Sequence, residues 1–385
     1  MKSCVIRWAA VFFLLISVPC LAQDHEGSSS VREGVAHVIN DLDFEDVRDI
    51  RVPGIAGSGT VEDAVTALSS GDSISAEDAV SSIIRMFLDS VSGLGRFMLS
   101  MMLPVLLSGL LSLVFVEGTS ANGTLARSVS FMLFLIPVIS AVIAELDHAR
   151  ETITNITEQM DRLLPILLTL LTALGGNAST AFFHPVVVAA SGSMVFLARE
   201  VILRLVMCTC AVTAVNHLSD RVHLSRMAQL LRSAVCWLLG VSFTVFLGAM
   251  SLQGVCSASI DGVAIRAAKY AVDNFVPIVG GMFSDTMETI VGCTLIVKNA
   301  LGVTCALVLL GTALSPLVRT AAVVFVMKLS AALLEPIAQP EVVRAIGDFA
   351  RTIILFFVTM LCVCTMYFFL IVQLLLVGNL TVMFR

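Results

Sequence analysis

The chain has 385 residues, of which 57% are hydrophobic and only 14% are charged, and its mean hydropathy is +0.96. An average soluble domain is roughly 25% charged, so this chain has too few polar residues to cover the surface of a cytosolic enzyme. Disorder needs the opposite composition, and the strands of a membrane β-barrel alternate apolar with polar residues, whereas the apolar runs here are continuous. The composition therefore predicts an all-α, polytopic integral membrane protein.

The net charge of −6 is unevenly distributed along the chain. Residues 23–96 contain fourteen acidic and five basic residues, residues 1–22 contain two basic residues, and residues 97–385 are nearly neutral. This distribution predicts three parts. They are a signal peptide (1–22), an acidic exported segment with amphipathic helices (23–95) and a polytopic helical membrane domain (96–385).

Residues 1–22 have the pattern of a secretory signal peptide. Lys2 and Arg7 precede a short apolar run, and the small residues Cys20 and Ala22 stand where a signal peptidase reads. We predict cleavage near Ala22, and the alternative is an uncleaved first membrane helix. Either arrangement places the segment that follows outside the cytoplasmic membrane.

The exported segment ends in a predicted amphipathic helix. Ser75 stands three residues ahead of Asp78, as at the start of a capped helix, and the apolar residues that follow share one helical face: Val80, Ile83, Ile84, Phe87 and Leu88. We expect this helix to lie on the membrane or on a partner.

Charges divide the membrane domain into segments long enough to cross a bilayer, which requires about 20 apolar residues. The segments are 97–116, 128–144, two arms within 163–198, 201–218, a span within 233–260, 299–318, 320–334 and 352–384. We predict seven to nine transmembrane helices. The arginine-rich segment 219–232 is predicted to be cytoplasmic by the positive-inside rule, which agrees with an outside N-terminus.

Several apolar runs contain Gly, Pro or polar residues that are typical of interrupted helices. Interrupted backbone at membrane depth is tolerated where it lines a cavity or is buried in protein. The candidate pore-lining or helix-break positions are therefore Gly175, Gly176, His184, Pro185, Asn274, Pro277, Gly280 and Gly281. A histidine at a helix start and a simple interfacial loop around 274–281 are the open alternatives.

Four residues are candidate intramembrane charges: Glu200, Arg204, Lys328 and Glu335. Glu200 and Arg204 are four residues apart in the order that favours a helical ion pair. Lys328 and Glu335 are seven apart and share a helix face. For both pairs, a structural pair near the membrane surface and a role in an ion path are open interpretations.

The sequence predicts no catalytic, cofactor-binding or metal site. It has no Gly-rich phosphate-binding motif, no HExxH motif and no serine elbow, and no basic patch for nucleic acid. We interpret the eight cysteines of the membrane domain as small buried apolar residues. The prediction is a protein that is not an enzyme and needs no cofactor.

Several blocks of sequence resemble the stage III sporulation protein AE family of endospore-forming bacteria. The blocks occur in order across residues 80–385, and they are Gly175-Gly176 followed by AFFHPVVV (181–188), FLGAMSLQG (246–254), DGVAIRAAKY (261–270), NFVPIVGGMFSDTMETI (274–290), LIVKNALG (295–302), LSAALLEPI (329–337) and GNLTVMFR (378–385). The resemblance does not extend to the acidic segment between Gln23 and about Val80.

The resemblance implies a non-enzymatic membrane subunit of the transenvelope channel complex that joins mother cell and forespore and is required after engulfment. The implied partners are other stage III sporulation subunits, including ring-forming proteins and an ATPase-like subunit, and homo-oligomerisation is left open. The implied location is the mother-cell membrane facing the forespore. The alternative is a stand-alone secondary transporter whose substrate site lies at the broken helices, although the sequence shows no internal repeat.

Overall fold

The computed structural model describes residues 76–114, 121–173, 177–218, 224–275, 280–336, 338 and 340–383. These residues form eight α-helices: α1 (Ala76–Gly93), α2 (Gly95–Val114), α3 (Ala121–Ala173), α4 (Asn177–Phe196), α5 (Leu203–Leu218), α6 (Ser225–Phe275), α7 (Gly280–Leu334) and α8 (Pro340–Met383). A π-helical turn, Leu197–Ile202, joins α4 to α5 without interruption. No strand occurs in the described ranges, and the predicted signal peptide and most of the exported segment lie outside them.

Helix α1 has the amphipathic pattern that its sequence predicts, and it packs against α7. The ring of Phe87 makes an edge contact with Phe325 of α7, with 5.7 Å between ring centroids. Ile84 and Leu88, from the same apolar face, remain 53% and 60% exposed. The helix therefore buries only part of its apolar face against the rest of the chain.

The long helices continue through the charges that divide the sequence into predicted segments. Helices α3, α6 and α7 contain 53, 51 and 55 residues. At about 1.5 Å per residue each is more than twice as long as a hydrocarbon layer of about 30 Å. Glu, Lys and Arg are good helix formers, so a charge marks a change in polarity without ending the helix. The predicted segments 299–318 and 320–334 are accordingly parts of the single helix α7.

Five of the described helical stretches are long and apolar enough to cross a membrane. They are Phe131–Ala173, His184–His217, Ser225–Gly254, Gly292–Leu334 and Pro340–Asn379, and Gly95–Leu106 is a shorter apolar helix. The protein is thus an α-helical membrane protein. The sequence-based number of seven to nine crossings stays a prediction.

The predicted break at His184–Pro185 is wrong as a statement about the backbone. Pro185 lies inside α4, and the helix is continuous from Asn177 to Phe196. Prolines also lie inside α2, α3 and α7, at Pro104, Pro137, Pro165 and Pro316. Proline lacks one N–H donor, but in membrane helices neighbouring groups and small local adjustments satisfy the freed carbonyl, so the helix continues.

Helix α8 is the central helix of the bundle. Of its most apolar stretch, 78% of the residues are buried inside the protein, against 22% for the corresponding stretch of α6 and 33% for that of α3. The surrounding helices α3, α5, α6 and α7 all pack against it. Along its most apolar stretch α8 is therefore shielded from water and lipid, and polar side chains that contact α8 join it to neighbouring helices.

Candidate functional site

One carboxylate near the start of α8 gathers donors from three helices, and we call this group the Asp348 cluster. Asp348 Oδ1 accepts from Arg232 at 3.3 Å and from Arg351 at 3.1 Å, and His217 Nε2 lies 3.1 Å from Oδ2. The Arg232 guanidinium also donates to the backbone carbonyl of Asp348 at 3.1 Å and to Thr213 Oγ1 at 3.2 Å. These bonds join the end of α5 and the start of α6 to α8.

The connection between α5 and α6 is held by a second polar contact beside this cluster. Asn216 Oδ1 accepts a hydrogen bond from the backbone N–H of Leu224 at 2.8 Å. The contact fixes the chain just before α6 begins, and Arg232 follows two turns into that helix. The Asp348 cluster is therefore supported by the local fold of the helices that carry it.

Polar contacts also tie α3 to its neighbours. Thr320 of α7 donates to the carboxylate of Glu145, which is only 3% exposed, at 2.7 Å. Thr312 of α7 donates to Gln159 Oε1 at 2.9 Å, and Tyr367 of α8 donates to Thr157 Oγ1 at 3.5 Å. These three contacts fix the rotation of α3 about its own axis because they hold it against two different helices, α7 and α8.

The third group lies near the far end of α8, and we call it the Lys298 site: Lys298, Leu375 and Gly378. Lys298 is 1% exposed, and its ammonium donates to the backbone carbonyl of Leu375 at 2.9 Å. Within the described part of the chain no carboxylate pairs with it. A Cβ at Gly378 would overlap the end of the Lys298 side chain, so a larger residue there would force the lysine to shift.

Close helix contacts surround the Lys298 site. A Cβ at Gly302 of α7 would overlap the side chain of Leu375, and a Cβ at Gly254 of α6 would lie 2.9 Å from Gln373 Oε1. Small residues let membrane helices approach closely. The blocks 246–254, 295–302 and 378–385, which are far apart in the sequence, thus meet at one place where α6, α7 and α8 pack together.

The predicted charges Glu200, in the π-helical turn, and Arg204, at the start of α5, form an ion pair. Their side chains are 41% and 67% exposed, so the pair is on the outside of the bundle. Lys328 and Glu335 are both exposed, and these two described residues do not pair with each other. On translocon-based scales an ionised side chain in hydrocarbon costs at least about 2.5 kcal/mol, so such exposed charges indicate contact with water or with partner protein.

The remaining predicted site residues lie within a helix, at helix ends or outside the described residues. His184 is exposed on α4. Asn274 is the penultimate residue of α6, and Gly280 and Gly281 begin α7, so the backbone is helical on both sides of residues 276–279. Gly175, Gly176 and Pro277 lie outside the described residues.

Sequence reasoning missed the residues that hold the centre of the bundle together. It interpreted Lys298 and Glu145 as boundaries of spans and gave no role to Asp348. A signal was present for Lys298, because it is an isolated charge beside a long apolar run, whereas Asp348 and Glu145 stand among other charged residues. The partner of Lys298 could not be identified, since the partner lies on a helix that is remote in the sequence.

The described residues offer no arrangement for metal or thiol chemistry. No group of three or more His, Cys, Asp or Glu side chains among them is placed to hold a metal ion. Cys210, Cys293, Cys305, Cys362 and Cys364 are buried, as their interpretation as apolar residues predicts. Cys208 and Cys256 depart from that interpretation because both are exposed, on the outer faces of α5 and α6.

Long apolar helices around a buried central helix define an α-helical membrane protein whose buried polar groups join helices. Comparison with known proteins identifies its family. A family model described as Stage III sporulation protein AE matches residues 60–378. Stage III sporulation protein AE of Bacillus subtilis (strain 168) is 30% identical over 266 residues, which are 69% of this chain and 67% of that protein.

The chain belongs to the Stage III sporulation protein AE family. The resemblance noted in the sequence is therefore confirmed, and the match begins within the acidic segment, at residue 60. No solved structure matches the chain.

Proposed function

We propose that the chain is a non-enzymatic integral membrane subunit of the channel complex that joins mother cell and forespore and is required for spore formation after engulfment. The observation that carries this proposal is the family match over residues 60–378. The long apolar helices support membrane insertion, and the buried polar groups serve to join helices. A family of sporulation proteins is consistent with a role in assembly and offers no known enzyme class.

The proposed topology follows the distribution of charge along the chain. Residues 1–22 act as a signal peptide, residues 23–95 form the exported segment, and residues 96–385 form the membrane domain. The protein resides in the mother-cell membrane that faces the forespore, with its N-terminal segment extracytoplasmic and the segment 219–232 in the cytoplasm. Labelling of a cysteine introduced in 219–232 by an impermeant reagent from outside would overturn this orientation.

The proposed partners are the other stage III sporulation subunits, including ring-forming proteins and an ATPase-like subunit. The sequence has no nucleotide-binding motif, so in this proposal the energy for assembly or transport comes from another subunit. The positions around 175–176 and 274–281 are proposed to contact those subunits or a pore, because helix ends rich in glycine and proline let other backbones approach closely.

Deletion of the gene tests the proposal. We expect sporulation to arrest after engulfment, while vegetative growth and nutrient uptake stay normal, and we expect the epitope-tagged protein to purify with other stage III subunits from sporulating cells. The matched control is the same strain complemented with the wild-type chain. An uptake defect in growing cells, with normal sporulation, would contradict the proposal and favour the transporter alternative.

A further inference from the structure

Helices α3 and α6 pack on opposite sides of α8 at the same height. Tyr367 of α8 donates to Thr157 of α3, and Phe369 of α8 makes an edge contact with Phe243 of α6, with 6.1 Å between ring centroids. Residues two apart on an α-helix point about 200° apart and differ in height by about 3 Å. Thr157 and Phe243 therefore mark two opposite sides of the bundle at one level.

The outer surfaces at this level have opposite character. On α6, Val241 and Val245 are 40% and 65% exposed, and no charged residue occurs from 233 to 260. On α3, the residues next to Thr157 include exposed Glu158 and Asp161. One side of the bundle thus presents an apolar surface that suits lipid, and the other presents carboxylates at the same height.

The charged surface of α3 is a long strip, which we call the α3 strip. Six charged residues on it are exposed: Asp147, Arg150, Glu151, Glu158, Asp161 and Arg162. The strip covers sixteen residues, or about 24 Å of helix, against a hydrocarbon layer of about 30 Å. A strip of this length cannot lie at one membrane surface while Val241 and Val245 are in hydrocarbon, and short Asp side chains cannot extend to the interface as Lys and Arg do.

The α3 strip cannot turn inward, because Glu145 and Gln159 on other faces of the helix, and Thr157 at the edge of the strip, are already bonded to neighbouring helices. Glu145 and Gln159 accept hydrogen bonds from α7, and Thr157 accepts from α8. A rotation that buried Glu158 and Asp161 would break all three contacts and expose the buried carboxylate of Glu145. The outward direction of the strip is therefore a fixed property of the fold.

From these observations we infer that the α3 strip lines a water-filled passage through the membrane, closed on its other sides by neighbouring subunits, while α6 faces lipid. The inference rests on the proposed function, because a single bundle provides only one wall of such a passage. Four carboxylates and two guanidinium groups keep this wall hydrated, and their net negative charge favours neutral or cationic hydrated solutes over anions. The feature extends the proposed subunit role by naming the surface that performs it.

Cysteine accessibility in native membranes of sporulating cells tests the inference. Glu158→Cys and Asp161→Cys are compared with Val241→Cys and Val245→Cys, in a chain whose exposed Cys208 and Cys256 are replaced by alanine. The reagent is a charged, impermeant methanethiosulfonate, and the parent chain without an introduced cysteine gives the background. Sporulation of each variant strain shows whether the variant folds and assembles.

We expect the two α3 cysteines to react at least about tenfold faster than the two α6 cysteines, because the thiolate is the reactive form and apolar surroundings suppress it. A bimane fluorophore on Val245→Cys should be quenched by lipids that carry a nitroxide in mid-chain, and one on Asp161→Cys should not. This second measurement fixes the depth independently of the labelling rate.

Three results would overturn the inference. In the first, the α3 cysteines are as unreactive as those of α6. In the second, the α6 cysteines react as fast as the α3 cysteines and escape the lipid quencher, which places this level of the bundle outside the bilayer. In the third, the α3 cysteines react only after partner subunits are removed, which means that protein covers the strip. If deletion still arrests sporulation in any of these cases, the passage is wrong and the proposed function stands. If the labelling pattern is found but deletion leaves sporulation normal, the proposed function fails and the surface assignment stands.

Discussion

Two basic side chains are buried against opposite ends of α8, and they are balanced in different ways. Arg232 reaches the carboxylate of Asp348, which also contacts Arg351 and His217. Lys298 is more deeply buried, yet within the described residues it donates only to the backbone carbonyl of Leu375. The two sites lie 27 residues apart on α8, or about 40 Å along the helix.

The Asp348 cluster is held together by opposite charges, whereas the Lys298 site depends on the shape of the packed helices. In the Asp348 cluster the charges of several helices satisfy one another, so removing one partner leaves another uncompensated. In the Lys298 site the room left by Gly378 admits the lysine, and a single neutral acceptor offsets little of the cost of burying its charge. The stabilising contacts of the Asp348 cluster therefore explain an aspartate at position 348, whereas the contacts of Lys298 do not explain a lysine at position 298.

The largest expected loss of stability comes from removing the carboxylate of the Asp348 cluster. Asp348→Ala should lower the free energy of unfolding by about 3–5 kcal/mol, because Arg232 stays buried without a carboxylate. Thermal unfolding of the purified protein in detergent measures the change. Arg351→Ala is the control: that side chain is 58% exposed, and its loss should cost less than about 1 kcal/mol. Equal effects of the two variants would contradict the role assigned to Asp348.

A smaller loss of stability is expected from filling the space between Gly378 and Lys298. Gly378→Ala places a methyl group against the end of the Lys298 side chain, so the lysine must shift and its bond to Leu375 is weakened. Overpacking of this kind costs about 1–3 kcal/mol. Gly347→Ala on the same helix is the matched control, because its Cβ meets nothing within 4 Å. It should be neutral or stabilising by up to about 1 kcal/mol. If both alanine variants change the free energy of unfolding equally, Lys298 does not depend on the space left by Gly378.

Removing the buried ammonium should have a still smaller effect. Lys298→Met keeps an unbranched side chain of similar length and removes a buried charge, so the free energy of unfolding should stay within about 1.5 kcal/mol of wild type. In a double-mutant cycle it should also relieve the loss caused by Gly378→Ala by at least about 0.5 kcal/mol. Lys328→Met, at an exposed position of the same helix, is the control. A loss above about 3 kcal/mol would indicate a carboxylate partner for Lys298 and would remove the contrast with Asp348.

The smallest effect is expected at the exposed pair on the π-helical turn. Glu200→Gln removes the charge that pairs with Arg204, and exposed pairs four residues apart contribute less than about 0.5 kcal/mol. Unfolding of the isolated protein in detergent should therefore be almost unchanged. A measured loss above about 1 kcal/mol would show that the pair is shielded from solvent and belongs with the buried charges of α8.

The sequence predicted the helical elements better than the way they are grouped. The amphipathic pattern before residue 93 predicted α1, whereas the predicted break at 175–176 lies outside the described residues. The division at Arg319 was wrong because α7 passes through it, and the break at Pro185 was wrong because α4 continues. In both cases the backbone hydrogen bonds of a long packed helix outweigh a local polarity change or one missing donor.

The sequence by itself determined that this is an α-helical membrane protein of the Stage III sporulation protein AE family, because composition and family blocks are properties of the chain alone. It could not determine which helix is central. Both α6 and α8 contain long uncharged runs, and an apolar side chain is as stable against lipid as against protein, so hydrophobicity does not distinguish them. Only the tertiary structure placed α8 inside and α6 outside and brought Lys298 to Gly378. It also turned the α3 strip away from the core, because those arrangements depend on contacts between residues remote in the sequence.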